Sequence, residues 1–307
     1  MRQTPGSLGV WEDFVFVTDP AEGSFDAWVV LDNPPMPVTA TCNRENLFFV
    51  SWEPPEIRTF HRGFLTQFRW VQTCHPCKHP GLIESQQSQP WHAGVEVADG
   101  FLPNLDYDQL ARMSPPKKRE LVSVIISDKV TTEAHRQRLE FVRMLKNYLG
   151  DKLHVYGRGH NDIADKWVAL KDYRYHIVLE NASRRNYITE KLTDAFLGYC
   201  FPFYFGAPNA CDYFPRESFA AIDVFRMDEA IETSRSIIAS DRDVQRTSAI
   251  EQARQAVLGE LNLFPMLANL VRDKMVHGRR DQLTIYPKKN RVKIGVSNLS
   301  RALRVAA

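Results

Sequence analysis

The strongest pattern of apolar and polar positions in the chain lies between residues 175 and 206. Tyr175–Glu180 contains three adjacent aliphatic residues, the pattern of a strand buried on both faces rather than one that alternates against water. The apolar residues that follow recur at the spacing of one helix face: Ile188, Leu192, Ala195, Phe196 and Tyr199. Gly198 predicts the end of this helix, and Cys200–Phe205 predicts a second strand. The segment therefore predicts one βαβ unit.

The turn after the first strand, Asn181–Asn186, is the usual ligand position of such a unit. Free backbone amides at the start of the following helix favour anions there. Four polar residues lie opposite the apolar stripe of the predicted helix: Tyr187, Glu190, Lys191 and Asp194. Their spacing alone fits two interpretations about equally well, a binding site and a solvated surface.

A second βαβ unit is predicted upstream of the first. Leu121–Ile126 is an apolar strand, Thr132–Leu149 has helical apolar spacing, and Leu153–Tyr156 is another strand. Gly157-Arg158-Gly159 follows, but it lacks the third glycine of a dinucleotide-binding fingerprint. Together the two units predict an α/β fold with a Rossmann-like parallel sheet. Met113–Glu120, which holds two prolines and three basic residues, is the expected linker before this sheet.

The patterns outside these units are weaker. Four short β-prone runs are expected in the N-terminal part, at Phe14–Thr18, Ala27–Asp32, Leu47–Trp52 and Phe68–Thr73. Residues 73–103 have no period of their own, so they form either an ordered functional loop or elements that the pattern hides. Near the C-terminus, helices are predicted at Asp228–Ser240 and Asp243–Leu261, and Pro265 interrupts another apolar segment.

Length and charge limit the class of protein. At 307 residues the chain exceeds the ~250 residues at which single cores stop growing, so two domains are expected. Residues 272–304 hold ten Lys and Arg against two Asp, although the whole chain has a formal charge of only +2. Such a basic end can contact an anionic membrane or nucleic acid, or it can be a solvated tail, which we favour.

No apolar run approaches the ~20 residues of a membrane span. Met1–Trp11 lacks the pattern of a signal peptide, so we expect a cytoplasmic chain, at most peripheral to the inner membrane face.

The five cysteines do not form a disulfide framework in a chain of this size, and Cys200 is expected to be a core thiol. Residues 74–79 read C-H-P-C-K-H, which can supply part of a four-ligand zinc site. No second pair follows at zinc-finger spacing, and the two prolines of the segment favour a rigid loop.

Several motifs in and after the first βαβ unit are specific enough to resemble a known family. Leu179-Glu180-Asn181 followed by Tyr187-Ile188-Thr189-Glu190-Lys191 is similar to F-E-N-S/T, a short spacer, then Y-I/V-T-E-K, the donor-binding signature of the α-1,3/1,4-fucosyltransferases of glycosyltransferase family 10. Leu179 replaces the usual aromatic residue, and Ala182 replaces the Ser or Thr. Residues 201–209 and 214–219 resemble the family's VPVYxGxPN and FxPxxSFI segments. So many matches in one order are far more specific than a lone glycine motif.

The resemblance implies a GT-B architecture, with two facing Rossmann-like domains. Residues 1–114 would form the acceptor-binding domain, residues 120–230 the donor-binding domain, and residues 231–307 the C-terminal helices and basic tail. The implied reaction is transfer of L-fucose from GDP-fucose to a glycan hydroxyl with inversion. The residues expected to position ribose, fucose or phosphate are Asn181, Tyr187 and Glu190.

Two cations are implied for the diphosphate of the donor. Lys191 belongs to the signature, and Ser127 together with Arg138-x-x-Phe141-x-x-x-Leu145 resembles the family segment S-N-…-R-x-x-F/Y-x-x-x-L, whose Arg reaches the diphosphate. Ser127 is therefore expected at the donor and Arg138 beside Lys191. The other arginines of the same predicted helix, Arg136 and Arg143, are expected to be solvated.

The resemblance also implies an acceptor base in the N-terminal half, a Glu in a segment similar to F-Y/V-x-x-E. Glu53 in Phe48-Phe49-Val50-Ser51-Trp52-Glu53 is the match, and Glu56 is the competitor. A base in this role must hold its carboxylate within hydrogen-bond reach of a sugar hydroxyl.

No cofactor is expected to be required, because two positive side chains can replace a divalent ion at the diphosphate, although a metal could still stimulate the reaction. The implied acceptor is O3 of N-acetylglucosamine, or a galactose-containing glycan, in an oligosaccharide or glycolipid such as a lipopolysaccharide side chain. Two alternatives stay open: a transferase for another GDP-sugar, and a catalytically inactive carbohydrate-binding homologue. No nucleic-acid partner is expected, since the basic tail lacks an aromatic platform.

Overall fold

A computed structural model describes residues 1–18, 23–96, 102–130, 132–241 and 246–288. The strands of the N-terminal part are β1 (Val10–Trp11), β2 (Phe14–Val15), β3 (Ser24–Phe25), β4 (Trp28–Leu31), β5 (Val38–Cys42), β6 (Leu47–Val50), β7 (Trp70–Gln72), β8 (Leu82–Ile83), β9 (Val95–Glu96) and β10 (Leu102–Pro103). The later strands are β11 (Glu120–Ile125), β12 (Leu153–Tyr156), β13 (Tyr173–Leu179), β14 (Phe201–Phe205), β15 (Ala220–Ala221) and β16 (Asp281–Ile285). The helices are α1 (Arg62–Leu65), α2 (Tyr107–Arg112), α3 (Glu133–Leu149), α4 (Glu190–Leu197), α5 (Met227–Ala239), α6 (Thr247–Leu258) and α7 (Leu263–Lys274).

A fully parallel sheet in the order β12-β11-β13-β14-β15 forms the larger half of the molecule. Its central strand is β13, in which Tyr175–Leu179 are all buried, as the continuous apolar run predicted. Helices α3 and α5 contact each other, and α4 contacts α6. The parallel strands with their crossover helices confirm the predicted α/β class.

A second parallel sheet, in the order β4-β6-β7-β8, forms the smaller half. Strand β6 is buried on both faces, because consecutive side chains of a strand point in opposite directions. Phe49 packs with Phe64 and Phe68 beside α1, whereas Phe48 packs against Leu267 of α7. The two cores of this half therefore lie on opposite faces of one strand.

The C-terminal elements return to the smaller half. Helix α7 covers its sheet, and β16 pairs antiparallel with β5. Pro265 lies in the first turn of α7, where Asn262 caps the helix and a missing backbone N–H costs no helical hydrogen bond. The expectation that Pro265 interrupts this segment is therefore wrong. Residues 289–307, with five of the ten basic residues of the tail, lie outside the described residues, and the predicted membrane contact stays a prediction.

Several short strands were not predicted from the pattern of apolar and polar residues. Strands β3, β5 and β16 form a three-stranded sheet that was not predicted. The stretch 73–103 contains β8, β9 and β10. None of the described helices has the length and apolar character needed to cross a bilayer.

Helix α4 starts at Glu190, three residues later than the apolar spacing predicted. Asn186 has a positive φ of 64°, and Thr189 is extended with its side chain accepting from the backbone N–H of Lys191 at 3.3 Å. A hydroxyl in this position caps a helix by satisfying a free amide. Tyr187 therefore lies in the loop before the helix rather than on its polar face.

Candidate active site

The carboxyl ends of the two parallel sheets face each other. Residues that follow β6 contact residues that follow β13, most directly through Glu56 and Arg184. The Arg184 Nε lies 3.2 Å and 3.4 Å from the two carboxylate oxygens, and Nη2 makes a further short hydrogen bond. Loops at the carboxyl ends of parallel strands are the usual ligand sites of α/β sheets, so this cleft is the candidate active site.

The larger half contributes a buried carboxylate at the end of β13. Glu180 has no exposed surface, and its oxygens accept hydrogen bonds from the Thr189 backbone N–H at 2.9 Å and the Thr189 hydroxyl at 2.7 and 2.9 Å. Burial raises the pKa of Glu180, while Lys191 and Thr189 oppose that shift. The interaction ties the end of the strand to the start of α4.

Lys191 is a cation held among oxygens at the start of α4. Its Nζ lies 3.1 Å from the Thr189 hydroxyl, 3.4 Å from Glu180 and 3.6 Å from Glu190. Burial lowers the pKa of Lys191, but the two carboxylates outweigh it and raise the pKa above its usual value. The raised pKa keeps the ammonium group charged, and the side chain, with 28% of its surface exposed, is accessible.

The polar face of α4 is buried, so its interpretation as a solvated surface is wrong. Lys166 lies between two carboxylates of this face, 2.9 Å from Glu190 and 3.2 Å from Asp194. Burial would raise the pKa of Glu190, but the charges of Lys166 and Lys191 hold it well below its usual range. The other oxygen of Asp194 accepts the backbone N–H groups of residues 92 and 93 at 2.8 and 2.9 Å. Lys166 had no motif to indicate it, because it lies in a segment without a period.

Arg138 and Asn181 meet beside the same strand end. Arg138 is 5% exposed, and its Nη1 donates to the carbonyls of Leu179 and Glu180 at 2.9 Å and to Asn181 Oδ1 at 3.1 Å. The buried Nε of Arg138 has no hydrogen-bond partner within the described ranges. Arg136 and Arg143 form exposed ion pairs on the outer face of α3, in agreement with the sequence expectation.

The remaining predicted donor residues border this cluster. Tyr187 is 1% exposed, and burial, with Glu180, Glu53 and Glu190 nearby, raises its pKa. Ser127 is half-buried in the loop two residues beyond β11. Both residues therefore lie beyond carboxyl ends of strands in the larger sheet, although no hydrogen bond or ion pair among the described residues connects Ser127 to the cluster.

Glu53 is the carboxylate that the smaller half presents to the cluster. It is half-buried, and within the described part of the chain its side chain has no hydrogen bond or ion pair. Burial raises the pKa of Glu53, Lys191 opposes the shift, and the negative charge of Asp32 adds to it. Glu56 differs, because hydrogen bonds from Arg184 outweigh the effect of burial and lower its pKa. Of the two candidates, only Glu53 combines a raised pKa with an unpaired carboxylate.

The C-H-P-C-K-H segment is a loop against the smaller sheet. The ring of His75 is buried, and its Nε2 lies 2.7 Å from the backbone oxygen of Glu53. Burial raises the pKa of the Cys74 thiol to about 11. Among the described residues, no group of three His, Cys, Asp or Glu is placed to hold a metal ion.

Asp-x-Asp triplets often bind a metal on the diphosphate of a sugar nucleotide. One such triplet in this chain lies at the start of α2, and another lies partly outside the described residues. Asp106 caps α2 through the Gln109 N–H at 2.9 Å, and Asp108 accepts the Gly6 N–H at 2.8 Å. A second triplet begins at Asp241 and continues into residues 242–243, which are not described. The metal requirement of the chain stays a prediction.

Comparison with known proteins gives a family-model match on the larger half and matches to two curated relatives and to a solved structure. Residues 115–246 match the model of the glycosyltransferase family 10 (fucosyltransferase) C-terminal domain. A fucosyltransferase-like protein of Arabidopsis thaliana is 27% identical over 123 residues, 39% of this chain and 23% of that protein. The α-(1,3)-fucosyltransferase FucT of Helicobacter pylori is 33% identical over 75 residues, 24% of this chain and 16% of that protein.

The chain thus spans less than a quarter of the length of each of these relatives. A crystal structure of an α1,3-fucosyltransferase with GDP superposes with a TM-score of 0.47 at 17% identity, covering 74% of this chain and 69% of that one. The family match contains β11 to α5 and every predicted donor residue. Residues 115–246 are therefore similar to the C-terminal domain of glycosyltransferase family 10, the family whose motifs the chain resembles.

Proposed function

We propose that the chain transfers L-fucose from GDP-fucose to a hydroxyl of a glycan acceptor, with inversion at the fucose carbon. The observation that supports this most is that one cleft has an accessible cation, Lys191, on one side and a carboxylate without an ion-pair partner, Glu53, on the other. The family match supports the donor half of the proposal. The two sides of the cleft have separate roles, one toward the donor and one toward the acceptor.

On the donor side, negative charge grows on the diphosphate as the bond to fucose breaks. A charge that develops in the transition state is stabilised most by groups already held in place, and removing one such group costs on the order of 3 kcal/mol. Lys191 has this character because Glu180, Glu190 and the Thr189 hydroxyl fix its ammonium group. Arg138, with a buried and unpaired Nε, is the second cation of the proposal.

On the acceptor side, a base must remove the proton of the attacking hydroxyl. A carboxylate with a raised pKa is a better base than an ordinary one, provided that it remains ionised at the working pH. The environment of Glu53 supplies this combination through burial and the charge of Asp32. Its location on the smaller half, opposite the donor cluster, suits attack from the face opposite to the leaving GDP.

The acceptor that we propose is O3 of N-acetylglucosamine in an oligosaccharide or glycolipid. This choice rests on the family resemblance, since the family model matches only the donor-side residues 115–246. No divalent metal is part of the proposed mechanism, because Lys191 and Arg138 carry the charge that the diphosphate requires.

The test is transfer from GDP-fucose to N-acetyllactosamine in excess EDTA, with release of GDP and formation of fucosylated product measured together. Glu53→Gln and Lys191→Met should each lower kcat/KM by ~100-fold or more. Two variants serve as matched controls, Glu45→Gln at an exposed ion pair and Arg136→Met on the outer face of α3. Both controls should keep wild-type rates.

The possible outcomes separate the proposal from its alternatives. Binding of GDP-fucose without modification of any acceptor, and without an effect of Glu53→Gln, would indicate a carbohydrate-binding homologue. Product from a different GDP-sugar, and none from GDP-fucose, would identify another transferase on the same donor site. Absence of any GDP-sugar binding would contradict the proposal as a whole.

A further inference from the structure

The C-H-P-C-K-H loop contacts the candidate base directly. His75 is 7% exposed, and its Nε2 lies 2.7 Å from the backbone carbonyl oxygen of Glu53. The backbone N–H of His75 donates to the Thr73 hydroxyl at 3.1 Å, which in turn lies 2.5 Å from the Ser51 hydroxyl. His75 is therefore attached by its backbone to the residue that follows β7 and by its ring to the loop that follows β6.

The chemistry of the contact fixes the tautomer of His75. A carbonyl oxygen can only accept a hydrogen bond, so Nε2 must carry the hydrogen. Burial lowers the pKa of His75, and the ring is neutral at neutral pH. A neutral Nε2–H donor satisfies a carbonyl without bringing a charge next to the candidate base.

The backbone of Glu53 is held on both sides. Gln89 Nε2 donates to the carbonyl of Trp52, and His75 donates to the carbonyl of Glu53 itself. Two prolines follow, at positions 54 and 55, and a residue before proline is restricted to extended conformations. His75, Gln89 and the two prolines therefore restrict the direction in which the Glu53 side chain leaves the backbone.

The same segment reaches the donor helix. The backbone N–H groups of His92 and Ala93 donate to Asp194 Oδ1 on α4, and the N–H of Gly94 donates to Asp165 at 2.9 Å. We call residues 73–94 the bridging segment. It contacts the loop of the candidate base at one end and the helix of the candidate donor cation at the other.

We propose that His75 is a positioning residue for the transfer, which holds the Glu53 peptide so that the carboxylate faces the acceptor hydroxyl. This inference rests on the proposed function. A displacement of a reacting group by about 1 Å can lower a rate ~100-fold, because the attack needs aligned and nearly touching atoms. His75 would therefore act on kcat, while binding of GDP-fucose at the opposite half would not depend on it.

The test compares two amides that differ by one methylene group. In His75→Gln the amide nitrogen can occupy the place of Nε2 and donate to Glu53, whereas in His75→Asn the nitrogen is too short to reach. We expect His75→Gln to keep kcat within about threefold of wild type and His75→Asn to lose at least tenfold, both with wild-type KM for GDP-fucose. His79→Asn is the control for damage to the loop, because His79 lies in the same loop but bonds to the Gly81 N–H and the backbone of Leu65 and Phe68 rather than to Glu53.

Thermal unfolding of all variants shows whether any loss of kcat is a loss of folded protein. Equal kcat for the two amides, whether both are wild-type or both are impaired, would contradict the role of His75 and leave the proposed function intact. A loss of GDP-fucose affinity in His75→Asn at unchanged kcat would contradict it as well. A wild-type chain that transfers no fucose would overturn the proposed function, and the role of His75 with it.

Discussion

At the scale of single residues, the candidate site consists of charges whose ionisation the protein controls. Burial alone would neutralise Glu190 and Lys191, but each is surrounded by groups of opposite charge that keep it ionised. Glu53 is different, because burial and Asp32 raise its pKa while only Lys191 and Arg58 oppose the shift. One residue is thus adapted to accept a proton, whereas its neighbours are adapted to keep their charges.

The raised pKa of Glu53 predicts the pH dependence of transfer. A base must be unprotonated, so the acid limb of kcat/KM should lie above the ~4.3 of an ordinary Glu. Asp32→Asn removes a negative charge that disfavours ionisation of Glu53, and it leaves Arg58 positive. The acid limb of this variant should therefore shift to lower pH. Glu45→Gln, which alters a distant surface pair, should leave the limb in place; an unmoved limb in Asp32→Asn would mean that Glu53 is not the titrating base.

At the scale of elements, the connection between β13 and α4 determines where the donor residues lie. Thr189 caps the helix and also holds Glu180 at the end of the strand. One hydroxyl group therefore joins the end of the strand, the start of the helix and the ammonium group of Lys191. Because Thr189 precedes the first helical residue, the cluster lies at the amino end of α4, where anions are favoured.

This dependence predicts a large effect of a small change. Thr189→Val keeps the shape of the side chain but removes a helix cap and the hydroxyl hydrogen bond that the two oxygens of a buried carboxylate share. The free energy of unfolding should fall by about 3 kcal/mol. Thr193→Val is the matched control, since among the described residues its hydroxyl donates to the Glu190 carbonyl alone, at 3.3 Å, and it should cost less than about 1 kcal/mol. Urea unfolding measures both values, and equal losses would contradict the special role of Thr189.

The β13-α4-β14 unit was predictable because its apolar residues keep one period long enough to identify strand and helix. Sheet β3-β5-β16 was not, because Val38–Cys42 alternates small residues and its partner β16 comes from the far end of the described chain. Lys166 was missed for a related reason: its function depends on burial between Glu190 and Asp194, which no local spacing encodes. Local pattern predicts elements, whereas long-range pairing decides which polar residues meet.

At the scale of the whole molecule, no strand of one parallel sheet pairs with a strand of the other in the described part of the chain, so loops connect the two sheets across the cleft. The bridging segment attaches to both halves, and Glu56 pairs with Arg184 across the opening. Two α/β halves around a ligand cleft commonly open and close by hinge motion. Both side chains of the Glu56–Arg184 pair are about one-third exposed, so the pair contributes at most about 1 kcal/mol and is screened by salt. A contribution of that size is small for folding but is sufficient to alter a balance between open and closed forms.

We therefore expect Arg184→Glu, which places two carboxylates face to face, to raise the KM for GDP-fucose several-fold at low salt while the melting temperature stays nearly unchanged. The double variant Glu56→Arg with Arg184→Glu restores the attraction with the charges exchanged, and it should recover most of the loss. High salt should reduce the difference between the single and double variants, because the pair is exposed. The Arg69–Glu45 pair, which lies within the smaller half, provides the control: reversing it should leave KM unchanged. If the double variant remains as impaired as Arg184→Glu, Arg184 contacts the donor itself, and closure of the cleft does not depend on this pair.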